Sequence, residues 1–327
     1  MLQVLLSVAF ASQAPQAEIR TTVPLVLAPV TVTGRDGKPV NNLNAEDFQV
    51  RENGVVVRHE LEVTTQPIAV AICIQTNQHA GPALAKIPKI GSLFLPLIAG
   101  EGGKAAVITY SDTITVRRSL TSNAQLFAAA FQNLTPDGYG SRMLDAVAAG
   151  LDVLERAGAG YRRVLIVIGE SKDRSSKASL ESALAAVAKS NVTIYPVSFS
   201  VYLTAFTSKG DERFGKAPEK EKEDKRPKVV PQGGGMNLMT MLSELGRAGK
   251  QNTAEALAKA TGGETLSFVR LKGLESMVQA VGEDLHRQYL LSFTPRPGAA
   301  GYRSMEVRVP SRGDVSIRTR PGFVMGE

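Results

Sequence analysis

Along the chain, unbroken apolar runs alternate with stretches in which apolar residues recur every three or four positions. The first run, Ile68–Ile74, is too short for a free-standing helix and lies between Pro67 and Gln75. This pattern predicts a strand buried on both faces at the centre of a parallel sheet. Ala105–Tyr110, Val164–Gly169 and Val192–Phe199 repeat it. Between them, Leu144, Val147, Leu151 and Leu154 keep one helical face, as do Leu180, Leu184 and Val187. Strands alternating with helices predict an α/β architecture: a doubly wound, mostly parallel sheet with right-handed crossovers. The helix after the first strand contains Pro82, Pro88 and Pro96. The first is tolerable in a first turn, whereas the other two should kink or break the helix.

The two ends of the chain are patterned differently. Thr22–Thr33 and Val55–Thr64 are rich in Val and Thr, as half-buried pleated segments are. Asp36-Gly37 marks one tight turn, and Asn53-Gly54 marks a hairpin between Phe48–Glu52 and Val55–Arg58. After a helix carried by Leu274, Val278, Val281 and Leu285, β patterning returns at Tyr289–Phe293, Met305–Val309 and Val315–Arg318. Neither end alone has enough apolar surface for a stable core. The expectation is one small β-sandwich built from 18–65 and 289–327, framing an α/β domain over 66–288. Within that domain, 204–250 reads as a disordered insert. Between Thr207 and Lys228 stand six Lys and two Arg against four Glu and two Asp, and a glycine run follows at Gly233.

The ends of the buried strands are where an open α/β sheet gathers ligands. After Ile74 the chain turns polar through Gln75, Thr76, Asn77, Gln78 and His79 before the next helix begins. Further along come Y-S-D-T-I-T-V-R-R-S-L-T from Tyr110, G-Y-G-S-R-M-L-D-A-V from Gly138 and I-G-E-S-K-D-R-S-S from Ile168. The segment ending G-E-D-L-H-R-Q-Y-L-L-S-F-T-P closes the series. In this order the stretches resemble the von Willebrand factor type A (VWA) domain. With V-T-V-T-G-R-D-G-K-P-V before them, they are similar to a bacterial, acidobacterial-type VWA-related family with a flanking β-module. The resemblance implies protein binding or adhesion through the loops at the strand ends.

The same family carries D-x-S-x-S after its first strand, and these oxygens hold a divalent metal that binds an acidic partner. The matching positions here are Gln75, Asn77 and His79; Ser141 stands at a family threonine and Glu170 at an aspartate. A hard cation such as Mg²⁺ wants octahedral oxygen ligands with carboxylates among them, and imidazole suits it poorly. Only Ser141 and Glu170 keep suitable chemistry, and Ser141 also has a structural reading as the N-cap of the helix that follows. No metal or other cofactor is therefore expected, with a Mg²⁺ or Mn²⁺ site using altered ligands as the alternative. The partner-binding loop is assigned to Gln75, Thr76, Asn77, Gln78, His79, Ser141, Arg142 and Glu170.

Composition narrows the remaining classes. A chain of 327 residues with 43% hydrophobic residues suits two globular domains. No apolar run is long enough to span a bilayer. The single cysteine, Cys73, lies inside the first buried strand and reads as a small core residue. Residues 1–17 resemble a secretory signal that lacks a basic start, with an apolar core at Val4–Phe10 and small residues at Ala9 and Ala11. Export to the periplasm, cell surface or medium is the expectation.

The net charge of +7 raises the question of nucleic acid. The basic insert is nearly balanced by its own acids, and no aromatic-interleaved basic face is present. Arg303, Arg308, Arg312, Arg318 and Arg320 read as a solvated strand face. For catalysis, the chain offers three histidines, His59, His79 and His286, and no G-x-S-x-G elbow. Gly210–Lys216 mimics a phosphate loop, but Ala217 replaces the metal-binding hydroxyl. The reading is a non-enzymatic module that binds a protein or cell-surface partner, not nucleic acid. A hydrolase with an unrecognised site is the alternative from another class.

Overall fold

The computed structural model describes residues 25–62, 66–85, 87–158, 160–199, 238–249, 252–268 and 273–326. The signal-like segment 1–17 and most of the charged insert lie outside the described residues.

At the centre is a six-stranded sheet. In chain order the molecule contributes β1 (Val26–Gly34), β2 (Gln49–Glu52), β3 (Val55–Val57), β4 (Glu60–Glu62), β5 (Ile68–Gln75), β6 (Lys104–Tyr110), β7 (Ile114–Thr121), β8 (Arg162–Gly169), β9 (Val192–Phe199) and β10 (Leu266–Phe268). The sheet order is β10-β9-β8-β5-β6-β7, so the first long apolar run lies between β8 and β6 and pairs with both in parallel. All eight residues of β5 are buried, as the unbroken run predicted. Its two faces differ. Ile68, Val70, Ile72 and Ile74 enter a core with Phe94, Ile98, Val281 and Leu285, while Ala69, Ala71 and Cys73 enter another with Met143, Val147 and Leu154. Burying each isoleucine contributes roughly 1.5–3 kcal/mol. The small residues on the opposite face let a helix approach closely.

The helices are α1 (Gly81–Leu84), α2 (Ile87–Phe94), α3 (Ala124–Ala129), α4 (Met143–Glu155), α5 (Leu180–Lys189), α6 (Leu238–Gly249), α7 (Thr253–Thr261) and α8 (Gly273–Arg287). The prolines act as expected. Pro82 sits in the first turn of α1, a break separates α1 from α2, and Pro96 lies in a π-helical turn over Leu95–Ala99. Two elements depart from the sequence reading. β7 is an antiparallel edge strand on β6, so the sheet is mixed. The last part of the expected insert, 238–249, is helical and buries Met241 and Leu242. Among the described residues no single helix is long and apolar enough to cross a membrane.

The chain ends build a β-sandwich, with β11 (Tyr289–Phe293), β12 (Gly301–Arg308), β13 (Val315–Arg318) and β14 (Gly322–Met325) joining the N-terminal strands. One sheet runs β13-β1-β11-β4 and the other β14-β12-β2-β3, each mixing strands from both ends. Val30, Val50, Leu291, Phe293, Val307 and Phe323 share its core. Asn53 and Gly54 both take positive φ in the β2–β3 hairpin, as an Asn-Gly turn requires. The segment Val55–Thr64 does not form one strand. β3 pairs with β2, whereas β4 crosses to pair with β11 in the other sheet.

Three of the C-terminal arginines overturn the expectation of a solvated face. Arg308 and Arg312 are exposed, but Arg303 forms a buried ion pair with Glu52 at 2.5 Å. Arg318 donates to Asp284 at 2.6 Å and to the carbonyl of Gly262, just past α7, at 2.7 Å. Arg320 donates to the carbonyls of Ala188 and Ser190 at the end of α5. Helix C-termini leave carbonyls without partners and favour cations, so these arginines cap two helices of the α/β domain from the sandwich. Burial without a carboxylate partner pulls the Arg320 guanidinium down to about 10. A buried network completes the junction. Tyr195 donates to Asp284, Gln288 to Tyr195, and Arg162 to both Gln288 and the carbonyl of Leu285.

Candidate functional site

The expected partner loops meet at the carboxyl end of the sheet. Gln75, the last residue of β5, is 1% exposed. Its Oε1 accepts from the backbone N–H of Glu170 at 2.7 Å, and its Nε2 donates to Glu170 Oε2 at 2.9 Å. Glu170 directly follows β8, so the pair closes the gap between two adjacent strand ends. Gly169 makes room for it: a Cβ there would lie 2.6 Å from Gln75 Oε1 and 2.0 Å from the Tyr110 hydroxyl. The other carboxylate oxygen, Glu170 Oε1, accepts from Arg174 Nη2 at 3.0 Å. Glu170 is 5% exposed, while the Arg174 side chain is 62% exposed.

The remaining residues of the first loop are held by the backbone. Thr76 N–H donates to the Tyr110 carbonyl at 2.8 Å, and Thr76 O accepts from Asp137 N–H at 2.6 Å. Asn77 is fully buried. Its Oδ1 accepts from Ala80 N–H at 3.1 Å, capping the short 3-10 turn Gln78–Ala80, and its Nδ2 donates to the Tyr139 carbonyl at 3.3 Å. Gln78 and His79 are exposed, and the His79 ring meets Tyr139 edge-on, with centroids 6.5 Å apart.

Ser141 is buried and does not cap the next helix. Its hydroxyl donates to the Lys172 carbonyl at 3.4 Å, and its N–H donates to Ser175 Oγ at 2.9 Å. The N-terminus of α4 is capped instead by a neighbouring loop. Asp173 Oδ1 accepts from Leu144 N–H, and Ser176 Oγ accepts from Asp145 N–H. Arg142 donates to Asp145 at 2.7 Å and to the Asp112 carbonyl at 2.9 Å.

The sequence reading missed Asp112, Asp145, Asp173 and Arg174. Asp112 accepts from the N–H groups of Tyr139 and Gly140, and Gly138 takes a positive φ where a Cβ would meet the Asp112 carboxylate. Asp145 accepts from the N–H groups of Lys177 and Ala178. Burial raises its carboxyl, but those bonds and the Arg142 guanidinium outweigh it and hold it below the usual carboxylate range. The D-R-S-S run from Asp173 was visible as a motif, but its partners stand about thirty residues away, beyond local rules.

Comparison with known proteins reaches part of this region. The von Willebrand factor type A domain family matches residues 91–219, a stretch that includes Ser141 and Glu170 and leaves out β5 with Gln75–His79. The architecture is the VWA fold, a mixed six-stranded α/β sheet, with two four-stranded antiparallel sheets added by the chain ends. Among solved structures, the chain resembles a von Willebrand factor type A protein from Catenulispora acidiphila at 10% identity and TM-score 0.48, covering 85% of this chain and 72% of that one. It resembles BatB from Bacteroides thetaiotaomicron at 13% identity and TM-score 0.43, covering 67% and 98%. The three N-terminal domains of the type V pilus tip protein Mfa5 from Porphyromonas gingivalis match at 15% identity and TM-score 0.30, covering 47% of this chain and 28% of that one. No curated protein matches the chain.

Proposed function

We propose that the chain is an exported, non-enzymatic binding module that engages a protein or cell-surface partner through the mouth of its VWA-type sheet without a divalent metal. One observation carries the metal-free reading: both carboxylate oxygens of Glu170 are engaged by protein donors, Gln75 on one side and Arg174 on the other. An ammonium or guanidinium beside a buried carboxylate supplies the charge that a cation would otherwise supply. The other family positions are also committed, Asn77 Oδ1 to Ala80 and the Ser141 hydroxyl to Lys172. These donors do not fit a hard cation, which needs several free oxygens and at least one available carboxylate. Among the described residues no group of three or more His, Cys, Asp or Glu could hold a metal ion.

The test is to rebuild the family pattern. The combined variant Gln75→Asp, Asn77→Ser, His79→Ser, Glu170→Asp and Arg174→Ala frees the carboxylates and removes the competing cation. It should bind Mn²⁺ measurably in calorimetry. If the rebuilt variant binds no better than the unmodified chain, the side chains at these positions are not what governs metal binding.

A further inference from the structure

We propose that the cleft between the end of α5 and β14 binds a small carboxylate carried on an apolar chain. Asn191 on its rim directly precedes β9, which runs parallel to β8 and β5, so the cleft lies at the opposite end of the sheet from Gln75. It holds about 210 Å³, less than the roughly 300–1,000 Å³ of pockets that take drug-sized ligands. Its ligand must therefore be small. The walls divide by chemistry. Leu25, Phe323 and Met325 supply apolar surface, whereas Arg320 and Lys189 supply positive charge. Among the described residues no Asp or Glu lines the cleft.

Arg320 differs from the other two arginines that the sandwich turns inward. Arg303 has Glu52 as its carboxylate and Arg318 has Asp284. Arg320 is 5% exposed, and its partners among the described residues are the carbonyls of Ala188, Ser190 and Gly322 and the Asn191 side chain. A helix end carries only about half a negative charge, so part of the guanidinium charge stays uncompensated. Its two amino groups are spent unequally. Nη2 donates to both carbonyls at the end of α5, whereas Nη1 donates only to the exposed Asn191 among the described residues. The second N–H of Nη1 is thus the donor left for a ligand. A carboxylate there would supply the full charge that Glu52 and Asp284 supply elsewhere, with Lys189 as a second, exposed cation in the last turn of α5. An alkyl chain behind it would gain by covering Leu25, which is 54% exposed.

The experiment titrates sodium hexanoate into the full chain by calorimetry at about 150 mM salt, where long-range attraction is screened. Saturable binding is expected. Acetate, which lacks the tail, and hexanol, which lacks the charge, should each bind about tenfold more weakly or worse. Leu25→Asp sets a like charge on an exposed wall residue and should weaken hexanoate by about tenfold. Arg320→Gln removes the buried cation and should abolish saturable binding. Lys89→Glu reverses a charge at an exposed position on α2 and should leave the affinity unchanged. Melting curves on each variant separate misfolding from lost contact, and if Arg320→Gln does not fold, Leu25→Asp decides alone. The proposal is overturned if hexanoate does not bind saturably, or if hexanol binds as tightly. It is equally overturned if a folded Arg320→Gln or Leu25→Asp keeps the parent affinity, or if Lys89→Glu loses as much.

Discussion

Gln75 and Glu170 stand at the ends of neighbouring parallel strands and hold each other by two hydrogen bonds of opposite sense, 2.7 and 2.9 Å long. The amide is suited to this because it carries an acceptor and a donor on one planar group. A carboxylate at position 75 could accept from Glu170 N–H but would face the Glu170 carboxylate with like charge. The glutamine thus gives the buried Glu170 side chain a hydrogen-bond donor where a second carboxylate would repel it.

Replacing Gln75 with Leu keeps the volume and removes both bonds, leaving Glu170 with Arg174 alone. The expected loss is roughly 2–3 kcal/mol, since hydrogen bonds to charged groups are worth more than neutral ones. Urea denaturation checks it. A variant within a few tenths of a kcal/mol of the parent would mean that water replaces the amide at little cost.

How much of this was legible in the sequence depends on the range over which each feature is determined. β5 is set by seven consecutive apolar residues, the breaks around α1 and α2 by prolines, and the β2–β3 turn by Asn53 and Gly54. Each is a local signal, and each was read correctly. β7 escaped because Arg117 and Arg118 interrupt its apolar pattern, as an exposed edge strand allows. Ser141 followed a local capping rule that Asp173 and Ser176 had already satisfied from another loop. Arg318 and Arg320 looked like surface charges because the helix ends they cap lie 56 and 132 residues away in sequence. The composition of the mouth loops was legible, but the Gln75–Glu170 pair joins residues 95 apart in sequence, which no local rule reaches.

Within the sandwich, Arg303 and Glu52 form an ion pair with side chains 8% and 2% exposed. Arg303→Met alone strands a buried carboxylate and should cost about 3–5 kcal/mol. Adding Glu52→Gln should recover a large part of that, because the desolvated charge is gone. Chemical denaturation of the two single variants and the double variant gives the coupling directly. Additive losses would show that the two side chains act separately.

Asp145 predicts a pH dependence. Its carboxyl is held below the usual range in the folded protein by backbone N–H groups and Arg142, against the raising effect of burial. The folded pKa therefore lies under the unfolded value of about 3.9. Its stabilising contribution is fully present above that unfolded value and disappears as pH falls through the lower folded one. The stability difference between the parent and Asp145→Asn should be constant near neutrality and shrink in strong acid. A difference that grows as pH falls would reverse the sign and refute the assignment.

The central claim is that the mouth of the sheet works without a divalent metal, and titration calorimetry of Mg²⁺ and Mn²⁺ into the EDTA-treated, dialysed chain tests it most directly. With Glu170 engaged by Gln75 and Arg174, any binding should be no tighter than about millimolar, far outside the range of a dedicated multi-carboxylate site. Stoichiometric binding in the micromolar range, abolished by Glu170→Gln, would contradict the account.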